Sequence, residues 1–267
     1  MSMSLIPSLS YSIFVCVLIK ICHTQLVVNV KNGGGDILVE SIQSNVSSDT
    51  ITLEYPSSDG SLITQFIDFK SEAQIFRAYV PGEEERGQPP GSVQVLCFIT
   101  RFSKNDFISS DAMSKLRQKN PTAIRTPEEE RPQEVHSFDL SVDLNKSHVI
   151  SPHVFNICRE AKESTFFNED DLKTISRSLS KDYNTMMSAM IKLAPTKYGK
   201  CSDTSDIFKP CTCRYDACVG WYPCGLKYCR GKDSSGKVVS YRCGIKTCKR
   251  CLAFDHFVKQ KFLCLWN

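Results

Sequence analysis

Ten of the chain's fourteen cysteines fall in one stretch, at positions 201, 211, 213, 218, 224, 229, 243, 248, 251 and 264. Gly, Pro, aromatic and basic residues lie between them, without a long apolar run. A segment this short, with so few aliphatic side chains, buries too little apolar surface to fold on hydrophobicity alone. Either disulfides or a metal must hold it, and the compartment decides which.

The other end of the chain reports on the compartment. Residues 5–22 are apolar, interrupted by Ser, Pro and Lys20, and small residues at Cys22 and Thr24 precede a cleavage point before Gln25. This pattern fits a secretory signal peptide over residues 1–24. A signal-anchor helix is the alternative, since the n-region lacks Lys and Arg. The uninterrupted apolar part, Tyr11 to Ile19, is too short for that, because a bilayer core of about 30 Å needs about 20 residues. Cleavage removes Cys16 and Cys22 and leaves twelve cysteines, an even number suited to full oxidation. The sequons Asn45-Val-Ser47 and Asn145-Lys-Ser147 then become candidate glycosylation sites, both in polar surroundings. The expected location is extracellular, with no membrane span after cleavage.

Oxidation decides between disulfides and metal in the tail. The spacings Cys224-x4-Cys229, Cys243-x4-Cys248 and Cys248-x2-Cys251 suggest zinc, but His256 is the only tail histidine and secretion oxidises thiols. No βαβ pattern surrounds Cys211-Thr-Cys213 or Cys248-x2-Cys251, as redox chemistry would require. Structural disulfides are expected throughout Cys201, Cys211, Cys213, Cys218, Cys224, Cys229, Cys243, Cys248, Cys251 and Cys264, with a connectivity that sequence does not determine. No metal or cofactor is expected. Tail aromatics are expected to pack on the bridges as the available core, and Tyr241–Cys243 and Leu252–Val258 read as short strands.

The net charge of +4 is unevenly distributed. Residues 201–267 hold 12 Lys+Arg against 5 Asp+Glu, whereas residues 25–200 hold 20 against 24. A basic tail on an acidic front suits a sulfated glycan or an acidic partner. An ordinary solvated surface accounts for the same charges.

Residues 25–165 read as a β-rich domain. The alternating segments 25–32, 37–42, 51–55, 62–70, 75–80 and 93–102 form an antiparallel meander, with a hairpin at Asp59-Gly60. Ser109-Ser-Asp111 caps a short helix over 112–119, residues 122–134 read as an exposed loop, and 137–144 as a late strand. A second short helix begins at Ser151-Pro152 and runs through Cys158. Within 166–200, residues 170–193 read as one helix, followed by a linker at 194–199 and the cysteine-rich basic domain 201–267. Cys97 and Cys158 are alone in the front and are expected to pair. That bridge is worth about 4 kcal/mol if it acts on unfolded-chain entropy.

Phe66-Ile67-Asp68-Phe69, the strand Ile75–Val80, Leu96-Cys97-Phe98-Ile99, a helix and a distant second cysteine together resemble a BRICHOS domain. The resemblance implies an α+β fold, matches Asp68 to the family's buried aspartate and assigns Cys97 with Cys158 to its disulfide. Read locally, Asp68 fits a solvent face as well. Over nearly all of the mature length the chain resembles the out at first family of secreted proteins. That resemblance is carried by the run from Asp111 to Pro121, Trp221-Tyr-Pro-Cys224, Leu226-Lys-Tyr-Cys229, Cys243-Gly-Ile-Lys-Thr-Cys248 and Leu263-Cys-Leu-Trp266. It implies a secreted protein associated with development. By the same resemblance Cys218 and Cys251 look like additions to the tail set and are expected to pair with each other.

No nucleophile elbow, zinc-protease helix, phosphate loop or dinucleotide turn is present. His148 and His153 could pair with Asp139 or Asp143, but nothing specifies a nucleophile nearby. The expected function is non-enzymatic binding, with no nucleic-acid partner. One form is a chaperone-like front that captures a β-prone peptide or an extracellular protein by strand addition. The other is an extracellular ligand or matrix factor whose basic tail engages a receptor or sulfated glycan.

Overall fold

The computed structural model describes residues 25–82, 91–118, 120–193, 198–232 and 234–264. The expected leader 1–24, most of the expected linker and the final Leu-Trp-Asn lie outside the described residues.

The front begins as the expected meander: β1 (Gln25–Lys31), β2 (Ile37–Asn45), β3 (Thr50–Pro56), β4 (Leu62–Asp68), β5 (Ala73–Pro81) and β6 (Val93–Arg101). Each strand pairs antiparallel with the next. The β3–β4 hairpin turns at Gly60, whose φ of +83° only glycine adopts without strain. After β6 come α1 (Ser110–Ser114), β7 (Ile124–Arg125), β8 (Glu129–Glu130), β9 (Glu134–Ser137) and β10 (Leu140–Val142). Then follow α2 (Val154–Cys158), β11 (Thr165–Phe167), α3 (Glu169–Ser178), α4 (Tyr183–Met187) and β12 (Met190–Lys192). The tail contributes two long strands, β13 (Cys211–Lys232) and β14 (Val238–Val258).

Ten strands form one sheet in the order β12-β10-β11-β6-β5-β4-β3-β2-β1-β7. It is not antiparallel throughout, because β11 lies parallel to β6 and β7 parallel to β1. Both parallel partners return through long crossovers that a meander reading does not anticipate. The second sheet is built on the antiparallel β13–β14 ribbon, with β8 and β9 lying parallel along β14.

The central strands are apolar on both faces, and alternation sends neighbouring residues to opposite sides. Phe76 and Phe98 lie in one core with Tyr215, Val219, Trp221 and Phe254 of the ribbon. Ile75 and Cys97 join a second core with Val154, Cys158, Leu172 and Ile175 under the helices. The ribbon, with α1, therefore covers one face of the front sheet and α2 to α4 cover the other.

Four local expectations change. The helix expected over 112–119 stops at Ser114, and Gln118 instead gives its amide to strand β1: its Oε1 accepts from Val27 N (3.1 Å) and its Nε2 donates to Val27 O. The helix expected over 170–193 breaks where Ser180 takes a positive φ and Asp182 caps a new helix, and its end becomes β12. The loop expected over 122–134 carries β7 and β8 and the first residue of β9. The tail strands, expected short, run for 22 and 21 residues. Their inward positions alternate strictly through Cys211, Cys213, Tyr215, Ala217 and Val219, a period-two signal that cysteine and alanine disguise.

Candidate interaction surface

The ribbon is stapled along its length. Cys218 stands directly opposite Cys251 and is bonded to it, and further bridges join Cys224–Cys248 and Cys229–Cys243. At its base, Cys201–Cys211 and Cys213–Cys264 tie the flanking segments to β13. Cys97 of β6 is bonded to Cys158 of α2. The sulfurs of Cys201, Cys213 and Cys264 lie within 4.8 Å of one another, but all three are in S–S bonds and offer no thiolate to a metal.

Part of the tail's positive charge is neutralised within the chain. The segment 128–134 runs beside β14, where Glu130 meets Lys249 (2.7 Å) and Glu134 meets Arg250 (2.6 Å), and Glu128 reaches Lys227 of β13 (2.6 Å). Glu129 meets Lys246, and this pairing holds the Glu129 carboxyl below its ordinary range. Backbone bonds reinforce the strap, with Glu128 N donating to Thr247 O (3.0 Å) and Arg131 N to Lys249 O (2.9 Å). Exposed pairs of this kind contribute little singly. Arg250 differs, because its side chain is almost fully buried and Glu134 is its counter-charge.

Beyond the strap the ribbon leaves the body. Three register shifts, between Val219 and Tyr222, Pro223 and Gly225, and Lys227 and Tyr228, bend and twist it. From Lys227 to Gly244 the described residues are exposed except for the half-buried Cys229 and Gly231. Tyr228 is 62% exposed, Tyr241 52% and Val238 62%. The register places Tyr228, Arg230 and Lys232 across from Arg242, Ser240 and Val238, so these six share one face. On the other face the Tyr241 ring lies so close over Gly231 that a Cβ there would meet it at 3.0 Å. The Cys229–Cys243 bridge closes the neck of this end. The result is a projecting finger with aromatic, β-branched and cationic side chains facing water.

The remaining expected site residues are structural or peripheral. Asp68 is buried at the end of β4, where Oδ1 accepts from Lys70 N (3.0 Å) and Ser71 N (3.1 Å) and Oδ2 from Ser151 Oγ (2.7 Å). It shapes the β4–β5 turn and anchors the segment leading to α2. The His153 ring packs at a tilt against Phe66, centroids 4.9 Å apart, while Asp139 Oδ1 accepts from Glu169 N and Asp143 Oδ1 from Asn145 N. Neither aspartate meets a histidine among the described residues. Asn45 and Asn145 are both exposed.

Two residues that matter here, Glu40 and His256, carried no sequence signal. Glu40 is buried on β2, and its carboxylate accepts from Gly220 N (2.7 Å) and Trp221 N (3.1 Å) of the ribbon. His256 is buried between Phe98 and Phe166, its Nε2 without a partner among the described residues. Burial pushes the His256 imidazole down to about 4, against about 6.5 in an unfolded chain. A base depressed in this way leaves the unfolded state binding more protons between those values. Its contribution is therefore complete above about pH 6.5 and is lost as pH falls toward 4, amounting to about 3 kcal/mol. His256→Phe is expected to flatten this acid-side fall in denaturation midpoints measured at pH 4.5, 5.5 and 6.5. An unchanged slope would assign the acid sensitivity to other groups.

Among the described residues no helix is long and apolar enough to cross a membrane. No solved structure matches the chain. A family model described as Out at first matches residues 24–175, and one described as Out at first, C-terminal, matches residues 200–267. The Out at first protein of Drosophila virilis is 47% identical over 257 residues, covering 93% of this chain and 84% of that protein. That of Drosophila melanogaster is 48% identical over 255 residues, covering 92% of this chain and 52% of that protein, so the chain spans about half of its length. With both models matched in order across the front sheet and the stapled ribbon, the chain belongs to the Out at first family.

Proposed function

We propose that this chain is a secreted, non-enzymatic binding protein that engages an acidic protein surface through the exposed end of its β13–β14 ribbon. The observation that carries this reading is the finger from Lys227 to Gly244, which presents Tyr228, Tyr241 and Val238 to solvent beside Arg230, Lys232 and Arg242. Tyr and Arg dominate the energetics of protein contacts, and a disulfide-closed neck reduces the entropy lost on docking. Six disulfides support the extracellular setting.

The test is binding of the full-length secreted protein to cell surfaces. Tyr228→Ala with Tyr241→Ala is expected to weaken binding at least about tenfold, as loss of two contact aromatics does. Arg230→Glu with Arg242→Glu is expected to slow association and reduce its salt dependence. Unchanged binding by both double variants would remove the finger from the function. Displacement by excess soluble sulfated glycan, with the tyrosine variant unaffected, would assign the partner to a glycan.

A chaperone-like role is the second reading. Its support is the BRICHOS-like pattern at Asp68, Cys97 and Cys158, together with the edge strand β12, where Ile191 is exposed. Helices and ribbon cover the two sheet faces, so a β-prone client has this edge as its place of addition. Salt-insensitive delay of fibril growth at substoichiometric protein would favour it over the finger.

A further inference from the structure

A cleft of about 750 Å³ opens between β10, α2, β12 and the end of β14, away from the finger. Leu144, Phe155, Ile191, Leu193 and Phe257 contribute its apolar wall. Phe155 is 46% exposed and Ile191 61%, so the wall faces water as a continuous apolar surface. Surfaces of this kind on a secreted chain are covered by something or promote association. Arg159 and Lys162 stand at the mouth, exposed and without an ion pair among the described residues.

Asn145 of the second sequon lines the same cleft. Asn145 is the second residue of the short 3-10 helix Leu144–Val149, whose cap Asp143 accepts from Asn145 N at 3.1 Å. Ser147 of the sequon is buried and donates to Leu144 O at 2.7 Å. These bonds hold the Asn145 backbone at the cleft wall, while its side chain is exposed.

We infer that Asn145 carries an N-linked glycan whose first sugars lie in this cleft and cover its apolar wall. The occupant follows from attachment: a sugar bonded to a residue of the wall has an effective concentration in the mM range. Weak contacts then suffice to hold it. The apolar face of a pyranose ring stacks on Phe155 and Phe257, while ring hydroxyls reach Arg159 and Lys162. The volume falls in the range of about 300–1,000 Å³ that holds small ligands, room for a few sugar rings. Asn45 offers the contrast. It is the last residue of β2, outside the cleft, with Oδ1 accepting from Ser47 N (3.1 Å) and Ser47 Oγ (2.7 Å).

The experiment uses the full-length protein secreted from eukaryotic cells. Mass spectrometry of its peptides is expected to find glycan at Asn145. Asn145→Gln is expected to raise apolar-dye fluorescence several-fold and to speed amide exchange in Met190–Lys192 about tenfold, through easier local opening. Asn45→Gln is expected to change neither. Enzymatic removal of the glycan from the folded native protein gives the same readouts without requiring a variant to fold. A bare Asn145 beside an occupied Asn45 would overturn the inference and leave the secretory route standing. Glycan at Asn145 whose removal changes neither dye nor exchange would overturn it equally, since the sugars would then point into water.

Discussion

A chain ending at Gly199 is expected to lose its cooperative unfolding transition and to expose apolar surface. Without the ribbon, Ile51, Leu53, Ile63, Phe76 and Phe98 face water, because Tyr215, Val219, Trp221, Tyr222, Leu252 and Phe254 complete their core. Each large side chain contributes about 1.5–3 kcal/mol by burial, as an upper estimate. Six such losses reach the whole stability of a domain, about 5–15 kcal/mol. Strong dye binding, flat near-ultraviolet dichroism and unprotected amides in β3 to β6 would report this state. A sharp thermal transition in the truncated chain would instead show that the front holds a core of its own.

The junction between β2 and β13 is the second place where a small change should have a large effect. A Cβ on Gly220 would meet Val30 Cγ1 at 2.6 Å and Glu40 Oε1 at 3.1 Å. Gly220→Ala is therefore expected to cost about 2–3 kcal/mol, since strand backbone on both sides resists the shift. Glu40→Ala leaves the Gly220 and Trp221 N–H groups without their acceptor, at about 1–3 kcal/mol for each. Glu40→Gln keeps one of the two bonds and should cost less.

The same junction predicts an unusual pH dependence. Burial raises the Glu40 carboxyl to about 7 from 4.5, even though the Gly220 and Trp221 amides pull it down. For an acid raised in this way the folded state binds more protons between those values, so stability falls as pH rises from about 4.5 to about 7. The loss amounts to about 3 kcal/mol and is complete above pH 7. His256 acts with the opposite sign between about 4 and 6.5, so the two partly cancel there. Between pH 6.5 and 7.5 Glu40 acts without that opposition, and Glu40→Gln should remove the decline in midpoint across this interval. A decline that survives the substitution would mean that Glu40 is already ionised in the folded protein at pH 6.5.

Much of this molecule was legible in its residues. The meander from β1 to β6 follows from local alternation and turn chemistry, since Asp59-Gly60 and the Gly33–Gly35 run mark reversals that depend on their own backbone angles. The need for covalent staples followed from a tail too poor in aliphatic residues to fold alone. The family was legible in short runs such as Trp221 to Cys224. Other features depend on partners distant in sequence. Asp68 fits water or core until Ser151 arrives to bond it, and Glu128 to Glu134 look like loop until β13 supplies Lys227 and β14 supplies Lys249 and Arg250. The placement of the tail against the front was the least legible feature. Alternation shows that a strand has an apolar face but does not say which apolar face it will meet. Only the folded chain decided that, by bringing Phe254 against Phe76 and Gly220 against Glu40.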